Sequence, residues 1–325
     1  MNATTQILAA LHSAKHGVSG ADLCQKLGVT RAAVWAQIES LRESGFEIIA
    51  SPHRGYQLVG SPDRLFADDI ASRLGKVNAI GREIVVLEQS TSTNDEVEKA
   101  AINGQEEGLV VFAESQTRGR GRMARRWSSP ARKGLWFSLL LRPKLTPSEC
   151  TKLTAATATA LTRAIREKTD IRPEIKWPND LMINGKKFGG ILTEMSAELD
   201  NIRHVIVGIG INVNQTVSEF PNEIKSTATS LKLATQNNIS RIDLAVDFLR
   251  ELDRDYSRIL NGNFTSIANE WARDCSTLGK QVKITIGERQ IVGRAEALDE
   301  AGALLLRTEH GRVERVTGGD VTMIK

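Results

Sequence analysis

The chain has 325 residues, 41% of them hydrophobic and 25% charged, ample for a sizeable core divided among roughly two or three domains. Its 43 Lys+Arg against 39 Asp+Glu leave a net +4, which favours anionic partners but supplies no polybasic tail. Three scattered cysteines without a CxxC pair argue against a disulfide frame or zinc site, and no apolar run approaches the ~18 residues of a membrane helix.

The first residues, "MNATTQILAALHSAKHG", lack the charged and apolar regions of a signal peptide, so no membrane and a cytoplasmic location are expected. Ile7, Leu8, Leu11 and Ala14 share one helical face. Ser19 caps a second helix that Gly28 ends, and Thr30 caps a third with Val34, Ile38 and Leu41 on one face. "FEIIASPHRGYQLV" follows as two strands around a turn, so residues 1–62 read as a winged helix-turn-helix. Such a unit lays its third helix in a DNA groove. The candidate DNA-facing residues are Ser19, Thr30, Arg31, Ala32, Trp35, Ala36, Gln37 and Ser40. A small helical protein–protein module has the same signature, and Trp35 fits either a core edge or a groove contact.

"GSPDRLFADD" reads as a linker. Residues 64–272 then alternate strands ("REIVVLEQ", "GLVVFAE", "GLWFSLLLRP", "HVIVGIGINV") with helices, the clearest being "SECTKLTAATATALTRAIREKT" and "RIDLAVDFLRELDRDYSRIL". This predicts a sheet with helices packed on it, an α+β or α/β domain. From 275 to 325 short alternating strands separated by "DEAG" and "EHG" predict a small SH3-like β barrel.

No P-loop occurs, "GIGIN" lacks the third glycine of a dinucleotide fingerprint, and no G-x-S-x-G elbow stands out. The stretch "SQTRGRGRMARRW" at 115–127 concentrates charge just after a strand. Gly119 and Gly121 let backbone N–H groups approach an anion, and Arg120 and Arg122 can fork onto its oxygens. A solvated loop or a nucleic-acid contact has the same composition. "STSTNDE" at 90–96 and "KWPNDLMINGKKFGGIL" at 176–192 add short polar side chains, a carboxylate between lysines and a rigid turn, the makings of a small-molecule pocket.

Together, "STN", "GRGR…W", "KWPND…KK..GGIL", "GIGINV" and "GALLL…GGDV" make the chain similar, over nearly its whole length, to bifunctional biotin protein ligases that also repress biotin operons. The resemblance implies an α+β fold with a winged helix-turn-helix, a class II synthetase-like mixed sheet and an SH3-like barrel. It implies formation of biotinyl-5′-AMP from biotin and ATP with magnesium (Mg2+), transfer to a lysine of the biotin carboxyl carrier protein, and homodimers on operator DNA. Biotin-binding residues would be Ser92, Thr93, Asn94, Gln116, Arg120, Gly121, Arg122, Lys187 and Gly190. Arg122, Arg125, Trp127, Lys176, Asn179, Lys187 and Asn212 would hold ATP, and Arg122, Lys187 and Asp180 would serve catalysis; no metal ligand is assigned. The family loop continues GRGRRGR where this chain has "GRGRMAR", with Ala124 in place of glycine. A lipoate-type ligase and a non-catalytic metabolite-sensing repressor are the alternatives.

Overall fold

The computed structural model describes every residue except Met1, Lys15, Leu199, Asp200 and Lys325, and divides into two compact units, Met1–Lys76 and Val77–Lys325. The first contains α1 (Ala3–Ser13), α2 (Gly20–Leu27), α3 (Arg31–Glu43), β1 (Glu47–Ser51), β2 (Gly55–Gly60) and α4 (Ala67–Leu74). Side-chain oxygens set the helix starts: Ser19 accepts from the Asp22 N–H, and Thr30 from the Ala33 N–H. Gly28 ends α2 at φ 68°, a conformation that costs glycine least. Ile7, Leu8, Leu11, Leu23, Val34, Ile38 and Leu41 form the core with Phe46 and Ile48 of the wing.

The compact N-terminal unit extends past residue 62, the boundary expected from the sequence. After the "GSPDR" connection α4 packs on α1 and belongs to the same unit. Asp69 of α4 is fully buried; His12 Nε2 lies 2.7 Å from its Oδ1, and Arg73 Nε donates to it at 2.9 Å. Thr5 Oγ1 also donates to Asp68. These polar contacts tie α4 to α1, so a cut at residue 62 would expose a buried carboxylate.

The second unit runs β3 (Glu83–Leu87), α5 (Thr93–Ile102), β4 (Leu109–Ala113), β5 (Gly134–Leu141), α6 (Thr151–Lys168), β6 (Glu174–Lys176), β7 (Asp180–Ile183), β8 (Lys186–Glu198), β9 (Asn201–Asn212), α7 (Leu231–Thr235), α8 (Arg241–Leu260) and α9 (Phe264–Asp274). Its seven-stranded sheet has the order β3-β4-β5-β9-β8-β7-β6, antiparallel except for β3 with β4. The two-residue period of a strand sorts the faces. Phe137 of β5 packs edge-on against Phe248 of α8, and Thr193 of β8 bonds Thr154 of α6. Their sequence neighbours Ser138, Leu192 and Glu194 therefore point to the opposite face, where α5 lies. Arg241, at the start of α8, is fully buried and donates to Glu114 Oε2 at 2.5 Å, locking the end of β4 to the helical layer.

β10 (Gln281–Ile286), β11 (Arg289–Leu298), β12 (Leu304–Arg307), β13 (Val313–Val316) and β14 (Asp320–Met323) form an antiparallel sheet in the order β13-β12-β11-β10-β14. The expected third domain is thus present as a sheet but shares one compact unit with the larger one. The Trp177 N–H donates to Thr277 Oγ1 at 3.0 Å, and Thr151 Oγ1 to the Ala301 carbonyl at 2.6 Å.

Burial raises the Asp69 pKa, but the His12 and Arg73 hydrogen bonds outweigh it and hold the carboxyl below its ordinary value. A depressed carboxyl stabilises the fold above about pH 4 and loses that contribution as pH falls through the lowered pKa. Asp69→Asn is expected to cost the N-terminal unit about 3 kcal/mol at neutral pH, as breaking a buried pair does. Thermal melts from pH 7 down to 3 should show wild type and variant converging; parallel curves would remove Asp69 from the acid response.

Candidate functional site

A cavity of about 390 Å3 opens on the α5 face of the large sheet. It exists because that face lacks side chains where the strands pass beneath it. Gly190 of β8 pairs with Gly210 of β9, and Leu192 with Gly208. A Cβ at Gly210 would sit 2.6 Å from the Trp127 indole, one at Gly190 3.2 Å from the same ring, and one at Gly208 would overlap the Asn94 amide. "GIGIN" is therefore no nucleotide fingerprint. Its alternating glycines let Asn94 and Trp127 lie on the bare sheet.

All the residues that the resemblance assigns to biotin, ATP or catalysis line this one cavity, from Ser92 to Asn212, whereas Gly119 does not. Ser92, Thr93 and Asn94 occupy the start of α5 and are buried. Thr93 Oγ1 lies 2.7 Å from Ser138 Oγ, which donates to Asn94 Oδ1 at 2.5 Å, and Asn94 Nδ2 donates to Glu194 Oε2 at 2.6 Å. Gln116 accepts from the Thr93 N–H at 2.9 Å and donates to Ser129 Oγ at 2.9 Å. The Thr93, Asn94, Gln116 and Ser138 side chains are each oriented by a neighbour, so they present a fixed pattern of donors and acceptors to a ligand.

The loop at 115–127 is not an open arm. Gln116 bridges to Ser90 and Ser129, and Arg120 to Arg126. Its tip is a short 3-10 turn, Arg122–Ala124, in which Met123 (φ 54°) and Ala124 (φ 55°) are left-handed, a region that suits glycine better than alanine. The arginines meet different surroundings. Arg120 donates to Glu194 and Asp95; burial lowers its pKa but those carboxylates outweigh that and raise it. Arg125 pairs with Asp320. Arg122 Nη1 meets only neutral oxygens, donating to Asn179 Oδ1 at 3.1 Å and the Gly319 carbonyl at 3.2 Å. Burial lowers the Arg122 pKa, leaving a half-buried guanidinium with no carboxylate bonded to it.

Lys187, at the start of β8, donates to Asp180 Oδ1 at 2.5 Å, with its Nζ 5.4 Å from the Trp127 ring centroid. Asn179 is fixed by the Ile191 carbonyl and Asn212 by the Thr229 carbonyl; Lys176 lines the cavity half-buried. Sequence reasoning missed Ser138, Gln215, Glu194 and the Gly319–Asp320 turn. A serine inside "GLWFSLLL" was the available signal for Ser138; the "GGDV" motif contains the Gly319–Asp320 turn, but nothing local ties it to the loop it touches, some 200 residues away.

On the N-terminal unit, Thr30, Arg31, Ala32, Trp35, Ala36 and Ser40 are exposed, whereas Ser19 and Gln37 are half-buried. Trp35 is 58% exposed, which excludes the core-edge alternative. Gln37 is partly engaged, accepting from Thr4 Oγ1 at 2.9 Å.

Residues 86–212 match the Biotin/lipoate A/B protein ligase family, residues 4–57 an HTH domain, and residues 277–323 the Biotin protein ligase C terminal domain. The chain is 38% identical over 306 residues to the bifunctional ligase/repressor BirA of Bacillus subtilis (strain 168), covering 94% of each. The chain belongs to the bifunctional biotin ligase/repressor family. BirA of Escherichia coli (strain K12) is 28% identical over 94% of this chain and 92% of its own length. Among solved structures, a biotin protein ligase from Aquifex aeolicus in complex with biotin and ATP superposes with a TM-score of 0.64 and 31% identity, covering 75% of this chain and 99% of that one. This family member thus combines a biotin protein ligase with a helix-turn-helix repressor domain. Among the described residues no helix is long and apolar enough to cross a membrane.

Gly208→Ala is expected to push the Asn94 amide off Ser138 and Glu194, costing about 1–3 kcal/mol of stability as overpacking does. A misplaced polar group of this kind should raise the KM for biotin by about 10²-fold. Biotin titrations and a thermal melt would check both; an unchanged KM would take Asn94 out of ligand recognition.

Proposed function

We propose that the cavity joins biotin to ATP as biotinyl-5′-AMP and passes the biotinyl group to a lysine of a biotin carboxyl carrier protein. The observation that carries this reading is Arg122, a half-buried guanidinium held only by neutral oxygens, in one cavity with Lys187. A cation so placed is completed by an anion. The buried Thr93–Ser138–Asn94 network at the other end supports recognition of a ring with both donors and acceptors, as a cyclic urea has.

In the first step a biotin carboxylate oxygen attacks the α-phosphorus of ATP, the bond from that phosphorus to the β-bridging oxygen breaks, and pyrophosphate leaves. Both reactants are anions. Arg122 and Lys187 offset their repulsion and the charge that develops on the α-phosphate, a preorganised electrostatic contribution. Magnesium supplied with the ATP would offset part of the triphosphate charge; among the described residues no three His, Cys, Asp or Glu side chains cluster as metal ligands. In the second step the lysine nitrogen attacks the acyl carbon, the bond from that carbon to the phosphate oxygen breaks, and AMP leaves. Asp180, beside Lys187, orients the incoming amine, whose proton passes to solvent. Arg120, already neutralised by Glu194 and Asp95, braces the loop, and Gly121 gives it close approach. Arg125, Trp127, Lys176, Asn179 and Asn212 serve the nucleotide, and Gly190 makes room beside Lys187.

The exposed face of α3 supports a second activity, reading operator DNA as a homodimer whose two α3 helices meet two half-sites. A protein that only sensed biotin would also bind DNA. Pyrophosphate release in biotin, ATP and magnesium separates the ligase from that sensor, and lipoate in place of biotin separates it from a lipoate ligase.

Arg122→Gly removes a charge-assisted contact worth about 1.5–3 kcal/mol, so the adenylate should escape and label bystander lysines, as mass spectrometry of an added unrelated protein would report. Lys187→Ala is expected to slow pyrophosphate release by about 10²–10³, with a stability loss of no more than about 1 kcal/mol from its ion pair with Asp180. Release at the wild-type rate would take Lys187 out of the chemistry.

Removing residues 1–76 should abolish operator binding and leave biotin transfer largely intact, because the cut follows a compact unit. In the full chain, biotin plus ATP should tighten operator binding by about 1–3 kcal/mol, reciprocally with DNA favouring the liganded dimer. Identical DNA titration midpoints with and without ligand, at fixed salt, would leave the winged unit uncoupled from the ligase.

A further inference from the structure

Three buried side-chain polar atoms among the described residues have no hydrogen-bond partner: Trp127 Nε1, Gln215 Oε1 and Asp247 Oδ2. Asp247 Oδ2 lies 2.8 Å from the Lys168 ammonium, so its charge is met. The other two belong to residues that line the ligand cavity. An uncompensated polar atom in a protein interior is costly and calls for a specific cause.

Gln215 is 1% exposed, three residues beyond the end of β9. Its orientation follows from a chain of amides. The Thr229 carbonyl can only accept, so the Asn212 group facing it at 3.0 Å is Nδ2, and Asn212 Oδ1 faces the other way. That oxygen accepts from Gln215 Nε2 at 2.9 Å. Inverting the Gln215 amide would set two oxygens against each other. Ser230 Oγ, donating to the Gln215 carbonyl at 2.7 Å, also holds the backbone here. One backbone carbonyl thereby commits Gln215 Oε1 to being an acceptor, and among the described residues nothing donates to it.

We infer that Gln215 Oε1 reads the purine base of the nucleotide, accepting a hydrogen bond from the exocyclic 6-amino group of adenine. The inference rests on the proposed reading that the base lies at the Trp127 and Asn212 end of the cavity. Adenine carries a donor at position 6, whereas guanine and hypoxanthine carry a carbonyl oxygen there. Opposite a fixed acceptor the first completes a hydrogen bond and the others bring two acceptors together. Sites built around a buried polar partner discriminate most strongly against analogues lacking the matching group. Gln215 is then the residue that makes the ligase an ATP enzyme rather than a general purine triphosphate enzyme.

The test compares biotin-dependent pyrophosphate release with ATP, inosine triphosphate and purine riboside triphosphate, which has hydrogen at position 6. Wild type should prefer ATP over purine riboside triphosphate by about tenfold or more in kcat/KM, a factor within the range for leaving a buried acceptor unpaired, and should use inosine triphosphate least. In Gln215→Met, similar in size but without the acceptor oxygen, ATP and purine riboside triphosphate should come within about twofold, with the loss in the KM for ATP and the KM for biotin unchanged. Wild type that uses both nucleotides equally well, or a Gln215→Met protein that keeps the wild-type preference, would overturn the inference. The wild-type comparison stands even if the variant does not fold. Failure to release pyrophosphate from ATP at all would instead refute the proposed adenylation, a result distinct from release without base discrimination.

Discussion

The absence of side chains at Gly190, Gly208 and Gly210 on one face of β8 and β9 is the constraint on which the ligase pocket depends. Strands normally project a side chain to each face at every second residue, which would fill the space above the sheet. Here the Asn94 amide and the Trp127 indole occupy it, so close that a Cβ at Gly208 or Gly210 could not coexist with them. Asn94 in turn ties Ser138 of β5 to Glu194 of β8, and Glu194 receives Arg120 of the loop. The polar pattern of the pocket is set by how closely backbone and side chains approach.

Charge is distributed in the pocket by the same economy. Of the loop arginines, Arg120 and Arg125 meet carboxylates and Arg122 meets carbonyl-type oxygens. The first two tie the loop to neighbouring strands; Arg122 has no carboxylate bonded to it. The Gly319–Asp320 turn supplies a partner to both Arg122 and Arg125, so the C-terminal sheet helps shape the loop. That sheet shares one compact unit with the large sheet. In the N-terminal unit the buried ionic group has another purpose: Asp69 with His12 and Arg73 fastens α4 to α1 and so carries the winged unit to Lys76.

Local patterns made much of this legible. Ser19, Gly28 and Thr30 mark helix ends because capping is a contact over three or four residues, and the apolar runs of β4, β5 and β9 identify themselves. The site motifs were legible as motifs: residues from the segments Ser92 to Asn94, Arg120 to Trp127 and Lys176 to Gly190 line one cavity. The ends of the winged unit and the joining of the last two sheets were not, since each rests on contacts between residues far apart in the chain, such as His12 with Asp69 or Thr151 with Ala301.

By itself the sequence determined which elements form, which loop gathers positive charge and which residue types are available for joining two anions, because spacing and composition act through near neighbours. Tertiary structure alone decided what each of those residues is free to do. Arg120 and Arg122 are two residues apart on the same loop, yet one is neutralised by Glu194 and Asp95 and the other is not. Gln215 looks like any polar residue after a strand until Asn212 and the Thr229 carbonyl fix its oxygen as an unused acceptor. Charge and hydrogen-bonding capacity belong to a residue; whether they are spent inside the protein or left for a ligand depends on partners that only folding brings within about 3 Å.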